Sequence, residues 1–247
     1  MSEVGRLLNR ANENILLLLE KKEAQLWESC LERVQQLRGV GSLLKRIARA
    51  GDREQLCDYL AEIRYSLLFV GLGFEVQIDP SGVVGKKVPD LRISRDGRSA
   101  LVEVKHFREL DPGPRYVSLS SKEFLDETFL LEPYGEPERD VKKIRSQAKG
   151  KFGQVGSNES IIAFWNEEEE EIDTESAVSW LREDVAKRKL ALPHGLLFVL
   201  YGSSWERPRQ QFYCFPLQIL SKPQSEWMQE LESAQLTNSM SVRRRAE

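Results

Sequence analysis

The sequence is poor in the two residue types that build disulfide frameworks and zinc sites. Its 247 residues include three cysteines and two histidines. Because Cys30, Cys57 and Cys214 lie far apart, neither a disulfide framework nor the closely spaced ligand pairs of a zinc site is present. Such sparse use of cysteine fits a reducing compartment, so we expect a cytoplasmic protein without a histidine-rich metal centre.

The chain also lacks a long apolar run and shows no signal-peptide pattern near its first residue. The apolar stretch at residues 15–19 contains five residues, whereas a membrane-spanning helix needs ~20. The charged, apolar and small-residue succession of a secretory signal is not found there either. We therefore expect a protein that does not associate with a membrane.

No strong excess of one charge is present. The chain has 36 basic and 39 acidic residues, which gives a net charge of −3. Nucleic-acid-binding proteins often carry a basic excess, but an acidic run at residues 167–171 offsets basic clusters elsewhere in this chain. The overall balance therefore leaves nucleic-acid binding open.

Two familiar catalytic motifs are missing as well. No Gly-x-Ser-x-Gly elbow of a serine hydrolase occurs. The glycine- and lysine-containing segment at residues 82–87 lacks the spacing and the Ser or Thr of a phosphate-binding loop. These absences remove two large classes of enzyme from consideration.

Helical periodicity dominates the first 72 residues. Apolar residues recur at three- and four-residue spacing through residues 3–50, with interruptions at Gly39 and Gly41. A second long helix is predicted at residues 53–72, with Asp52 as its N-cap. We interpret residues 1–50 as a helical extension and residues 51–222 as the main domain.

The apolar pattern changes to alternation after residue 73, which indicates strands. We predict strands at residues 74–78, 88–94, 99–107, 160–165, 196–201 and 211–215. Helices are predicted at 139–152 and 174–190, an irregular insertion at 108–138, and a C-terminal helix with a tail at 223–247. This order is typical of an α/β fold with a mixed β-sheet flanked by helices.

The Asp96-Gly97 pair lies between two alternating runs and predicts a tight β-hairpin. If these are the two loop residues, Asp90 lies directly opposite Glu103 on one face. Like charges in that arrangement repel and destabilise a sheet. A divalent cation would compensate, since ions such as Mg²⁺ are often held by one or two carboxylates and waters.

Lys105 is expected on the same face as Glu103, because side chains along a strand repeat every two residues. Val102 and Val104 then point into the core. A lysine beside a metal-bound carboxylate pair can polarise a water or stabilise charge on a phosphate, which phosphodiester hydrolysis requires. The alternative is a hairpin face that is merely solvated, as in many antiparallel sheets.

Pro89-Asp90, followed after twelve residues by Glu103-Val104-Lys105, resembles the motif of the PD-(D/E)xK nuclease superfamily. Over residues 53–215 the element order also resembles its restriction-endonuclease-like core. The resemblance implies that Asp90 and Glu103 bind the metal, that the carbonyl of Val104 is a further ligand, and that Lys105 is catalytic. The implied cofactor is Mg²⁺, with Mn²⁺ as a substitute.

The superfamily often adds a glutamate from the helix before the first strand. Glu62 occupies that place in this sequence, and the resemblance makes it a further catalytic and metal-binding residue. Because Glu62 lies off the apolar stripe of its helix, it can equally be a solvated helix residue. Asp58, one turn earlier, is a second candidate for the same role.

The predicted helix at 139–152 carries a local excess of positive charge, with six basic residues against Asp140. Such a surface neutralises phosphates without reading sequence, although a helix face that is only solvated would look the same. The candidate nucleic-acid-binding residues are Lys142, Lys143, Arg145, Gln147, Lys149 and Lys151.

Three hypotheses follow from the sequence. The first is a Mg²⁺- or Mn²⁺-dependent endonuclease acting on DNA in preference to RNA, with the helices of residues 1–50 available for a homodimer or a protein partner. The second is a catalytically silent module on the same fold that binds nucleic acid or a protein. The third is an unrelated α/β scaffold, which a structure with Asp90 and Glu103 on opposite faces would favour.

Overall fold

A computed structural model describes part of the chain. The described residues are 2–80, 88–107, 159–166, 179, 183–184, 186–187, 195–203, 212–216 and 221–233. The predicted insertion at 108–138 and the predicted basic helix at 139–152 lie outside them. Of the predicted helix at 174–190, the described residues 179, 183–184 and 186 are helical.

Four helices precede the sheet, and side chains cap two of them. They are α1 (Glu3–Leu18), α2 (Lys21–Val34), α3 (Val40–Ile47) and α4 (Arg53–Gly71). The Ser2 hydroxyl accepts a hydrogen bond from the Gly5 N–H at the start of α1. The Asp52 carboxylate accepts one from the Gln55 N–H at 2.7 Å, which confirms the predicted N-cap of α4.

In the described residues, six strands form one mixed sheet in sequential order. They are β1 (Glu75–Ile78), β2 (Leu91–Arg95), β3 (Arg98–Phe107), β4 (Ser160–Asn166), β5 (Leu196–Ser203) and β6 (Phe212–Pro216), and helix α5 (Lys222–Ser233) follows them. Strands β1 to β3 are antiparallel, β4 is parallel to β3 and β5, and β6 is antiparallel to β5. The predicted α/β class with a mixed sheet and flanking helices is confirmed.

The hairpin between β2 and β3 has the predicted turn and register. Asp96 and Gly97 have φ values of 53° and 74°, as the two central residues of a type I′ turn require. Leu91 pairs with Val102, so the next position along the pairing places Asp90 opposite Glu103. Val102 and Val104 belong to the buried core, as expected.

The helices before residue 50 share their hydrophobic core with the sheet. One buried cluster includes Ala11 and Ile15 of α1, Val104 of β3 and Leu231 of α5. Helix α4 packs on β1 to β3, while α2 and α3 pack against α4. Of the helices in the described part of the chain, none combines the length and the apolar character that crossing a membrane requires.

A close backbone approach fixes α3 beside the end of β1. The Ile78 N–H donates a hydrogen bond to the Arg38 carbonyl at 2.8 Å, just before Gly39 caps α3 with a φ of 85°. At the other end of α3, the Asn14 amide of α1 donates to the carbonyls of Ile47 and Ala50. Helix α3 is therefore held at both ends.

The approach at Gly39 predicts the effect of Gly39→Ala. The new Cβ would lie 1.9 Å from the Ile78 carbonyl oxygen, and alanine disfavours the φ of +85°. We expect a loss of ~3 kcal/mol or more in the free energy of unfolding, measured by urea denaturation. Gly41→Ala is the matched control, because nothing lies within 4 Å of its Cβ and the residue is helical. It should be neutral or stabilising by ~0.5–1 kcal/mol, and equal losses in both variants would contradict this account.

Candidate functional site

Three acidic residues lie side by side where β1 and β2 meet the loop between them. The pairing of Ile78 with Leu91, continued by one residue, puts Asp79 beside Asp90. The Asp79 N–H donates a hydrogen bond to the Asp90 carbonyl at 2.9 Å. Because Asp90 also lies opposite Glu103, we call Asp79, Asp90 and Glu103 the carboxylate row.

The Asp90 side chain reaches across to β3. Its Oδ2 accepts a hydrogen bond from the Val104 N–H at 2.7 Å. The N–H and C=O of one strand residue point to the same neighbouring strand, so the Val104 carbonyl is directed to the β2 side of β3 as well. Glu103 is 5% exposed, so the alternative of a solvated hairpin carboxylate is wrong for this residue.

Glu62 lies in the middle of α4 and is buried. Its exposure is 5%, so the alternative of a solvated helix residue is wrong. The Arg46 guanidinium of α3 donates to both oxygens of Glu62, at 2.7 and 2.8 Å. The same guanidinium lies 3.1 Å and 3.2 Å from the two oxygens of Asp79. The Ser42 hydroxyl of α3 also donates to Asp79.

This end of the sheet has more negative than positive charge among these groups. Burial and, to a smaller extent, the negative charge of Asp90 raise the pKa of Glu62 to about 8, although the hydrogen bonds and the charge of Arg46 act against the rise. Burial lowers the pKa of Arg46, but the hydrogen bonds of Glu62 and the negative charges of Glu62, Asp79 and Asp90 together outweigh it and leave that pKa above its ordinary value. The ionised form of Glu62 pairs best with the Arg46 guanidinium, but burial and the charge of Asp90 make that form costly.

Lys105 lies beside an aspartate of α4. The Asp58 Oδ1 is 3.7 Å from the Lys105 Nζ and 3.6 Å from the Nδ1 of His106. His106 is buried, and the Lys105 side chain is 23% exposed. Asp58, the second candidate for the role of Glu62, is therefore in position to orient Lys105.

The sequence did not indicate Arg46 or Asp79 as site residues. Asp79 directly follows β1, so a predicted register between β1 and β2 would have placed it beside Asp90. Arg46 carries no such signal, because its position depends on how α3 packs against α4 and β1. The predicted nucleic-acid-binding residues at 142–151 lie outside the described residues.

Carboxylate and carbonyl oxygens are the donors that Mg²⁺ and Mn²⁺ prefer. Within the described residues, no three His, Cys, Asp or Glu side chains are grouped so that they could hold a metal ion. Mg²⁺ is often held by fewer protein ligands, namely one or two carboxylates with waters. The chemistry of Asp90, Glu103 and the Val104 carbonyl fits such an ion.

Comparison with known proteins finds no relative of this chain. No protein-family model, no curated protein and no solved structure matches the chain.

The raised pKa of Glu62 predicts a pH dependence of stability in the absence of metal. Between its ordinary value of 4.5 and about 8, the folded protein keeps a proton on Glu62 that the unfolded chain releases. The free energy of unfolding should therefore fall as the pH rises through this window, by at most ~1.4 kcal/mol per pH unit from this group.

Urea denaturation in EDTA at several pH values measures this dependence. Glu62→Gln removes the titrating group. The free energy of unfolding of this variant should therefore fall less between pH 5 and pH 8 than that of the wild type. Glu75→Gln, at an exposed position of β1, is the control for the substitution itself. Parallel pH profiles for the wild type and Glu62→Gln would contradict the prediction.

Proposed function

We propose that the protein is a metal-dependent nuclease that hydrolyses phosphodiester bonds in nucleic acid, DNA in preference to RNA. The observation that carries the proposal is the register that brings Asp90 opposite Glu103, with Lys105 two residues further along β3. The arrangement α4-β1-β2-β3 followed by a parallel β4 also supports a restriction-endonuclease-like core. The predicted basic helix at 139–152 would lie between β3 and β4 in sequence.

Asp90, Glu103 and the Val104 carbonyl would hold Mg²⁺ or Mn²⁺. Carboxylates in register repel each other, and the hydrogen bond from the Val104 N–H holds the Asp90 carboxylate next to β3. When bound, the ion supplies positive charge that polarises the phosphodiester and offsets the negative charge that develops in the transition state. On the side of α4, Glu62 is paired with Arg46.

Lys105 would act on the phosphate or on the attacking water. Its ammonium group has three N–H donors, and its contact with Asp58 orients it. A fixed cation at this place stabilises negative charge on phosphoryl oxygens and can orient a water for attack. Asp58 is a positioning residue in this mechanism.

The proposal predicts metal-dependent cleavage of labelled DNA. Duplex DNA, single-stranded DNA and RNA would each be incubated with Mg²⁺, Mn²⁺ or EDTA. Asp90→Ala and Lys105→Ala should each lower the cleavage rate by ~100-fold or more. Lys222→Ala and Glu226→Ala are matched controls, because both side chains are exposed on α5.

Cleavage that persists in both site variants would contradict the proposed site. Absence of cleavage by the wild type, combined with Mn²⁺ binding that Asp90→Ala abolishes, would instead support a catalytically silent module on the same fold. Faster cleavage of RNA than of DNA would overturn the proposed preference for DNA.

Asp58→Asn separates a positioning residue from a metal ligand. The substitution keeps the size of the side chain and removes the charge that faces Lys105. We expect kcat to fall by ~10-fold, equivalent to ~1.4 kcal/mol of transition-state stabilisation, with little change in the affinity for Mn²⁺. Calorimetric titration measures that affinity, and a loss as large as that of Asp90→Ala would make Asp58 a ligand.

A further inference from the structure

Arg46 brings a positive charge from α3 to the carboxylate row. Its Nη1 and Nη2 each donate to a different oxygen of Glu62, and Nη2 also contacts both oxygens of Asp79. The guanidinium carbon lies 5.0 Å from the centre of the Tyr59 ring, which adds a cation–π contact. One cation therefore serves two carboxylates, as one ion of a two-metal site can.

The position of Arg46 is built into the fold. Ser42, one turn earlier on α3, donates to the same Asp79 carboxylate. The backbone before Gly39 is hydrogen-bonded to Ile78, the residue before Asp79. The backbone of α3 is thus attached to the end of β1, and the guanidinium would lose its contacts with Asp79 and the Tyr59 ring if it left Glu62.

We propose that Arg46 takes the place of a second divalent cation, so that the site binds one metal ion, on the side of Asp90 and Glu103. This inference rests on the proposed nuclease function. A metal ion on Glu62 would lie beside a guanidinium that cannot lose its charge by deprotonation. Charges of the same sign that lie a few ångströms apart repel each other strongly in a partly buried site.

The roles of Glu62 and Asp79 follow from this arrangement. They hold Arg46, and Arg46 in turn fixes their carboxylates beside Asp90, so Arg46 is a positioning residue. Helix α3 is then part of the site, although it lies in the predicted helical extension. Removing the charge of Arg46 should open a second cation position between Glu62 and Asp79.

Titration of the full-length protein with Mn²⁺ tests the inference without any nucleic acid. Calorimetry gives the stoichiometry, and electron paramagnetic resonance of free Mn²⁺ gives an independent count. We expect one ion for the wild type and two for Arg46→Gln. Arg49→Gln, which changes an exposed arginine just after α3, is the matched control and should bind one ion.

A second variant keeps the test decisive if circular dichroism shows that Arg46→Gln is unfolded. If Glu62 holds Arg46 and not the metal, Glu62→Gln should change the Kd for Mn²⁺ by less than ~10-fold, whereas Asp90→Ala should raise it by ~100-fold or more. Equal losses in these two variants would make Glu62 a ligand and overturn the inference.

The remaining outcomes separate this inference from the proposed function. Two ions in the wild type, or one ion with an unchanged Kd in folded Arg46→Gln, would overturn the role of Arg46 and leave the nuclease proposal standing. A wild-type protein that binds no Mn²⁺ would overturn both.

Discussion

The contact between Arg46 and Glu62 is the interaction on which this end of the molecule depends. A buried charge is tolerated only when it is paired, and removal of one partner from such a pair typically costs ~3–5 kcal/mol. Glu62 is almost fully buried, and the Arg46 side chain is 30% exposed. Because Arg46 also contacts Asp79, one guanidinium connects α3 with α4 and with the end of β1.

The backbone places Arg46 with little freedom. Gly39 allows the chain to pass so close to Ile78 that any side chain at this position would overlap its carbonyl oxygen. Arg46 follows seven residues later, which is about two helical turns, so it lies on the same side of α3 as Gly39 and contacts Asp79 at the end of β1. Asn14 holds the opposite end of α3 by donating to the carbonyls of Ile47, its last residue, and of Ala50. The backbone at both ends of α3 thus determines where the positive charge of Arg46 lies.

Features that depend on local chemistry could be predicted from the sequence. The Asp-Gly turn and the two-residue period of a strand gave the register of Asp90 and Glu103, and the Asp52 cap gave the start of α4. The division of residues 3–50 into three helices was not predicted at residues 19–20, where neither glycine nor proline marks the break.

Features that depend on packing between distant segments could not be predicted. The burial of Glu62 requires a partner that lies 16 residues earlier in the chain and on another helix. Asp79 follows a strand of four residues and adopts a φ of 45°. The two-residue period of that strand therefore does not predict the direction of the Asp79 side chain. The coarse fold therefore follows from local patterns, whereas the charge balance of the site follows from tertiary structure.

The distribution of charge divides the site into two halves. On the side of α4, Glu62 and Asp79 share the guanidinium of Arg46, so the fold itself supplies a cation there. On the side of β3, Asp90 accepts a hydrogen bond from the Val104 N–H, and the positive charge of Arg46 interacts with it as well. Carboxylates in register repel each other in a sheet. In the proposed nuclease a divalent ion would bind at Asp90 and Glu103, next to the lysine that would act on the phosphate.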